Sequence, residues 1–238
     1  MVTAVEAERL RQAQQGLVRL MEDDLASFWG ALDLTRPEAA RDALAAYVPA
    51  LVDEYGQMAA TVAADWYDER RAVEGVPGRF RAVAVASPYR DAVGGTLARA
   101  SGALFTDHPE LALAGMGRLF KYVRAAGRST IQESSMRDPQ AVGWQRVVRP
   151  GACDFCRLLH GRGGVYKRET AFFASHDDCN CAAVPSWDPS APEVDVEAYA
   201  ASTRMTALRE RAAAGDPSAV RSLERHRNAV RDYIEHMH

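Results

Sequence analysis

Apolar residues recur at three- and four-residue steps through most of the first 134 positions, the period of helices that each bury one face. Between Val5 and Trp29 the stripe is Leu10, Ala13, Leu17, Leu20, Met21, Leu25 and Phe28, in a segment rich in Ala, Leu, Gln and Glu. It predicts a first amphipathic helix. Thr35-Arg-Pro-Glu38 predicts the start of a second, with Thr35 as N-cap and Pro37 in the first turn. That helix runs toward Val48, where Pro49 is expected to kink or restart it. From Leu51 to Val73 the periodicity is strongest: Leu51, Tyr55, Met58, Val62 and Trp66 form the stripe, flanked by Val52, Ala59 and Ala63. Trp66 and Tyr67 read as core and rim aromatics rather than as a binding platform.

Gly75-Val-Pro-Gly78 ends this pattern, and Phe80 to Val85 has a short β-like composition. A helix is predicted from Tyr89 to Phe105, weakened by Gly94-Gly95, and another opens at Asp107-His108-Pro109-Glu110 with Asp107 or His108 at the cap. From Leu111 to Ser134, Met116, Leu119, Phe120, Val123 and Gly127 fall on one face, and Arg118, Lys121, Arg124 and Arg128 on another. The region that follows reads as loops with short strands near 146–148, 164–167 and 182–184. Ser186-Trp-Asp-Pro-Ser-Ala-Pro192 is a linker, and Val194 to Ala214 and Pro217 to Met237 read as a helical hairpin broken at Gly215-Asp-Pro217. The fold class is therefore mainly α: a multi-helix body, a small α+β module and a C-terminal helical hairpin.

The candidate chemistry is concentrated in that module. All four cysteines lie there as Cys153-x-x-Cys156 and Cys179-x-Cys181, with 22 residues between the pairs, His176 three residues before Cys179 and His160 four after Cys156. Zn²⁺ takes four tetrahedral Cys or His ligands, and a Cys-x-x-Cys turn brings two thiolates to one ion. The preferred ligand set is Cys153, Cys156, His176 and one or both of Cys179 and Cys181, because His176-x-x-Cys179 repeats the knuckle spacing while Cys-x-Cys bites one ion awkwardly. One structural Zn²⁺ per chain is expected, since nothing matches a metalloprotease His-Glu-x-x-His helix. Two disulfides, a redox pair and four unliganded core thiols compete with this reading. The redox reading requires a helix opening at Cys-x-x-Cys within a βαβ pattern, and Arg149-Pro150-Gly151 reads instead as a turn. Asp154, Asp177, Asp178 and Asn180 make the flanks poor core segments.

Charge and composition narrow the rest. The net charge of −3 hides an asymmetry: residues 1–77 carry 14 acids and 7 bases, whereas 118–149 carry 7 bases against Glu133 and Asp138. The stripe of Arg118, Lys121, Arg124 and Arg128 is the one nucleic-acid feature, with an acidic neighbouring helix or subunit as the competing partner. Of the 29 basic residues 27 are Arg, which together with abundant Ala reflects a GC-rich genome. The N-terminal MVTAVEAERLRQAQQ lacks the basic start and apolar core of a secretory signal, and no apolar run reaches transmembrane length. A cytoplasmic protein without membrane contact is expected. There is no Gly-x-Ser-x-Gly elbow or Walker loop, and Asp65, Asp68 and Glu69 beside Arg70 and Arg71 read as surface ion pairing. His226, His236 and His238 read as a solvated tail.

Several motifs together resemble a known family. Trp144-Gln-Arg-Val-Val, Gly151-Ala-Cys-Asp-Phe-Cys, Arg162-Gly-Gly-Val-Tyr166 and His176-Asp-Asp-Cys-Asn-Cys181 leading to Pro185 are similar to the C-terminal module of Mu F-like minor head proteins of tailed phages, in the form found in phages of actinobacteria. Arg128-Ser-Thr-Ile131, Asp138 and Ala64-Asp-Trp-Tyr-Asp-Glu69 resemble the same family. The resemblance implies a virion protein at the portal vertex or capsid interior, held in the host cytoplasm before assembly. It would contact the portal or major capsid protein, packaged DNA, or further copies of itself. The expected organisation is a helical body over 1–134, a zinc-binding module over 135–187, and a linker and hairpin over 188–238. Two other classes stand beside this one: a head maturation protease, and a stand-alone zinc-binding nucleic-acid protein. About 50 residues after the module leave no room for an added catalytic domain there, which favours a non-enzymatic protein.

Overall fold

The computed structural model describes residues 2–87, 90–149, 151–161, 165–167, 173, 179–193, 207–208 and 210–236. The described chain is mostly helical, as the periodicity predicts. Its α-helices are α1 (Ala4–Gly30), α2 (Pro37–Val73), α3 (Arg90–Ser101), α4 (Leu111–Met116), α5 (Phe120–Arg137), α6 (Asp154–Gly161) and α7 (Pro217–His236), with 3₁₀ turns at Gly102–Phe105 and Gly117–Leu119. Strands β1 (Gly143–Val147) and β2 (Ala182–Ser186) pair antiparallel, with Trp144 opposite Pro185 and Arg146 opposite Ala183. Val165 and Tyr166 extend this small sheet by single bridges, Tyr166 to Trp144 and Val165 to Glu193.

Local chemistry explains most of the boundaries, and corrects some expectations. A capping box starts α1: the Glu6 amide donates to the Thr3 hydroxyl at 3.3 Å, and the Thr3 amide to the Glu6 carboxylate at 2.8 Å. Thr35 does not cap α2. Its hydroxyl and amide both turn back to Asp33 Oδ1, at 2.6 and 3.0 Å, and Arg36 takes the cap position with Pro37 first in the helix. Nor does Pro49 restart the helix, which is continuous through it. The carbonyl that loses its amide partner belongs to Ala45, on the exposed side, where water can satisfy it. Residues 79–87 are not a strand. They form an extended strap tied to the helices by Ala82 N–H to Asp68 (3.0 Å) and Val85 N–H to Thr130 Oγ1 (3.0 Å), and a backbone bonded to side chains has no sheet partner. Neither Asp107 nor His108 is the residue before α4. The Leu111 and Ala112 amides bond to the His108 and Pro109 carbonyls in a turn, and Glu110 takes that position.

Helix α2 packs along α5, and small residues let the two approach. Gly56 faces Ala126, with room for a Cβ 3.8 Å away, while a Cβ at Gly127 would collide with the Gln14 amide and lie 3.2 Å from the Ala59 carbonyl. Buried Ala59, Ala60, Ala63 and Ala64 line this seam, so the stripe is rotated from the expected one and Met58 is exposed. One apolar cluster fills the far end of the bundle, from Met21, Leu25, Leu44 and Val48 to Met116, Leu119 and Val123. A second joins Leu10, Ala63, Trp66, Tyr67 and Ile131 of the helices to Trp144, Cys156, Tyr166, Phe173, Cys179 and Cys181 to Val184. Body and cysteine region thus share one core across the expected boundary at 134/135.

The acidic and basic residues near the end of α2 do not pair locally as the sequence suggests. Arg71 crosses to Asp138 (2.9 Å) and Arg70 reaches Glu6 on α1, while Asp68 holds Arg81 of the strap (3.1 Å). Only Glu69 pairs with its neighbour Arg70, at 2.9 Å. Of the C-terminal hairpin, α7 is present and packs against α6 with Ala219 buried; most of the expected first limb lies outside the described residues.

Candidate metal centre

Three elements bring the cysteines together. Helix α6 opens at the Cys-x-x-Cys: the Arg157 amide donates to the Cys153 carbonyl at 3.0 Å, which sets Cys153 at the helix start and Cys156 one turn in. The Cys-x-x-Cys is therefore helical, contrary to the loop expected from sequence. Cys179 and Cys181 lead into β2, which is hydrogen-bonded to β1 and lies against α5. Gly143 permits this path, because its backbone is left-handed in φ (148°) and a Cβ there would sit 2.5 Å from the Tyr166 carbonyl oxygen.

The sulfurs of Cys156, Cys179 and Cys181 all lie within 4.8 Å of one another, and all three residues are buried. Cys156 and Cys179 Sγ are 3.6 Å apart, and all four cysteines are free thiols. A disulfide requires about 2.0 Å. Two thiolates on one tetrahedral zinc, each about 2.3 Å from it, stand about 3.8 Å apart. The donor set and spacing fit a thiophilic dication. Both members of the Cys-x-Cys pair belong to the cluster, so the awkward bite expected of that spacing does not exclude either one. Cys153, the exposed cysteine, immediately precedes α6 and is not one of these three. His176 lies outside the described residues. His160, the sixth candidate, donates its Nδ1 hydrogen to the Arg146 carbonyl at 2.8 Å.

Two buried arginines stand over the sulfurs, and neither role is visible in the sequence. Arg146 on β1 directs Nη1 to Cys156 Sγ (3.7 Å) and Cys179 Sγ (3.9 Å). Arg128 on α5 donates from Nη2 to the Cys179 carbonyl (2.6 Å) and from Nε to the Cys181 carbonyl (3.0 Å). Both guanidiniums lie on the Phe173 ring, with Cζ 3.6 Å from its centroid for Arg146 and 4.6 Å for Arg128. Hydrogen bonds from Cys156 and Cys181, together with the Arg128 charge, hold the Cys179 thiol far below its usual range. The bond it gives to Cys179 pushes Cys156 well above. Burial lowers Arg128 to about 10, against the opposing pull of Cys179, so it stays cationic at neutral pH.

The basic stripe divides accordingly. Arg128 is 3% exposed and faces the cysteines, so it leaves the surface stripe expected of it. The reason is tertiary: the β2 segment covers that part of α5. Arg124 is half-buried and donates to Gln15 (3.2 Å), which also receives Asn180 (3.0 Å). Arg118 and Lys121 line an open cavity of about 320 Å³ together with Arg99 of α3, Thr96 and Leu111. Arg99 was not among the sequence candidates, since α3 carries it far from the stripe in the chain.

The model of the VG15 protein family matches residues 1–206, which spans the helical body and the cysteine module alike. No curated protein and no solved structure matches the chain. Among the described residues, no helix is long and apolar enough to cross a membrane.

Proposed function

The chain belongs to the VG15 protein family, a family of phage gene products, and on that premise we propose that it is a structural minor head protein of a tailed phage. In this reading it docks on the portal or the inner capsid during head assembly and DNA packaging, has no turnover of its own, and holds one structural Zn²⁺. The observation that carries the reading is the seat of the thiol cluster. Cys156, Cys179 and Cys181 are buried in the same apolar cluster as Trp66, Tyr67 and Ile131, so an ion held there staples the module to the helical body. Structural zinc sites are closed and four-coordinate, and burial of three donors suits a closed site. The fourth ligand comes from Cys153 or His176. Zinc would supply cross-linking here; the chain's residues supply donors, counter-charge and the core around them.

A contact with packaged DNA is supported by Arg99, Arg118 and Lys121 around one cavity, which would take phosphate oxygens. Measuring duplex-DNA binding against salt tests it: Arg99→Ala and Lys121→Ala should each flatten the salt slope by about one.

Elemental analysis of protein purified under reducing conditions should find one zinc per chain, and zinc-free protein with four titratable thiols would end the metal reading. Cys153→Ser should lose more zinc than His160→Ala. Particle fractionation tests the larger claim. Co-purification with heads, with ligand variants losing incorporation while capsid processing continues, supports assembly. Absence from mature heads, together with uncut capsid protein when one Ser, Asp or His is replaced, would establish the protease instead.

A further inference from the structure

We propose that Arg128 and Arg146 are positioning residues of the thiolate centre: they supply its counter-charge, and Arg128 fixes the Cys179 to Cys181 backbone to the helical body. The proposal rests on the metal reading above and goes beyond it, because it assigns residues that are not ligands.

The geometry is specific. Arg128 spends two donors on the carbonyls that bracket Asn180, Cys179 at 2.6 Å and Cys181 at 3.0 Å. A planar guanidinium presents these two N–H groups in a fixed fork. It therefore sets the spacing of two successive ligand-bearing residues from a rigid helix, which a lysine ammonium does not. Arg146 reaches two sulfurs, on α6 and at the entry to β2, and so bridges the halves of the site. Both arginines are only 3% exposed. Carbonyls accept two of the Arg128 hydrogen bonds but leave its charge, and the Phe173 ring attracts each cation while bringing the two within repelling range. Three thiolates on a dication leave a net negative centre beside them. A neutral set of thiols would not offset two buried like charges. Partners outside the ligand shell of this kind change metal affinity by about 10- to 100-fold when removed.

The experiment is a Co²⁺ and Zn²⁺ titration of the full chain in competition with a chromophoric chelator, comparing wild type, Arg128→Met, Arg128→Lys, Arg146→Met and Arg137→Met. Arg137 is an exposed arginine of the same helix and serves as the control. Arg128→Met and Arg146→Met are expected to weaken metal binding about 10- to 100-fold. They should also move the sulfur-to-cobalt charge-transfer band to lower energy, because thiolate lone pairs rise when a nearby cation is lost. Arg128→Lys keeps the charge and loses the fork, so its band should stay near wild type while its affinity falls. Arg137→Met should change neither. In the Met variants, wild-type affinity overturns the proposal, and so does weakened affinity with an unmoved band, which would mean packing alone. If Arg128→Met does not fold at saturating zinc, Arg128→Lys decides: wild-type affinity overturns the fork. A wild-type chain that binds neither metal overturns the metal reading and this proposal together, whereas normal binding by every variant overturns this proposal alone.

Discussion

Asp138, just beyond α5, ties α2 to the module's Trp187, and replacing it by Asn should cost a large part of the protein's stability. Its carboxylate receives Arg71 Nε–H at 2.9 Å, the Tyr67 hydroxyl at 3.2 Å, Trp187 Nε1–H at 3.1 Å and the Gln140 amide at 3.0 Å. The Asp138 side chain is fully buried and that of Arg71 is 8% exposed. Asp138→Asn keeps the shape, turns one acceptor into a donor facing other donors, and leaves the buried Arg71 charge on the Val76 to Gly78 carbonyls without its carboxylate. Removing one partner of such a pair costs about 3–5 kcal/mol, which is roughly a hundredfold to several thousandfold in the folding equilibrium at about 1.4 kcal/mol per decade. Urea unfolding at neutral pH, followed by helical circular dichroism with zinc saturating, reads this directly. Arg71→Met in the Asp138→Asn background should recover part of the loss, since it removes the stranded charge.

The pH dependence follows from the sign of the Asp138 shift. Burial works against its ionisation, but the Arg71 hydrogen bond, the Gln140 amide and the Trp187 indole outweigh it and hold the carboxyl below its ordinary value. A lowered folded pKa means stability that is complete above the unfolded value, about 3.9, and lost as the pH falls through the folded one. The gap between wild type and Asp138→Asn should be full at neutral pH and narrow below about pH 4. A difference under about 0.5 kcal/mol at pH 7, the range of ordinary surface changes, would refute the reasoning.

Other substitutions test the packing. Gly127→Ala should destabilise by about 1–3 kcal/mol, because the Ala59 carbonyl 3.2 Å away is helix backbone and cannot yield as the Gln14 amide can; thermal melts that match wild type would contradict the tight seam. Pro49→Ala should raise stability by about 1–3 kcal/mol by restoring an amide to the interior of α2, and a lower melting temperature would show that the proline is favourable where it stands.

What the sequence could show followed the range of each interaction. Helix existence depends on neighbours three and four apart, so α1, α2 and α5 were legible from Leu10, Leu25, Tyr55 and Val123. Cap identity depends on one hydroxyl's choice between competing groups, and Thr35 chose Asp33. The cysteine group was legible because four thiols in two tight pairs are rare, and the structure brings three of them together. Arg128 was not legible. On a helical wheel it sits beside Arg124 and Lys121, and only the β2 segment, more than 50 residues later, turns that position into an interior. Arg146 was hidden by its strand, where alternation alone leaves open which face the module buries. Helix α6 was missed because Arg149-Pro150-Gly151 reads as a turn, and a turn is equally what precedes a helix.

The shared core also bears on whether residues 1–134 stand alone as a body. Truncation there uncovers one side of Leu10, Trp66, Tyr67 and Ile131, which the cysteine module and its sheet now cover. At about 1.5–3 kcal/mol for fully exposing a large apolar side chain, uncovering one side of four costs on the order of several kcal/mol, against about 5–15 kcal/mol of net stability for a whole domain. The cut also removes Asp138 and with it the carboxylate that Arg71 needs. Extending the fragment to 137 completes α5 without restoring either. The 1–137 fragment is therefore expected to keep helical circular dichroism but to bind a hydrophobic dye, unfold without a sharp transition and associate on a sizing column, as a helical state lacking fixed packing does. Adding zinc should change nothing in the fragment and should sharpen the transition of the full chain, because the ion acts only where Cys156, Cys179 and Cys181 are present. A monomeric 1–137 fragment with a cooperative transition near that of the full chain would show that the body owns its core, and that the module merely rests on it.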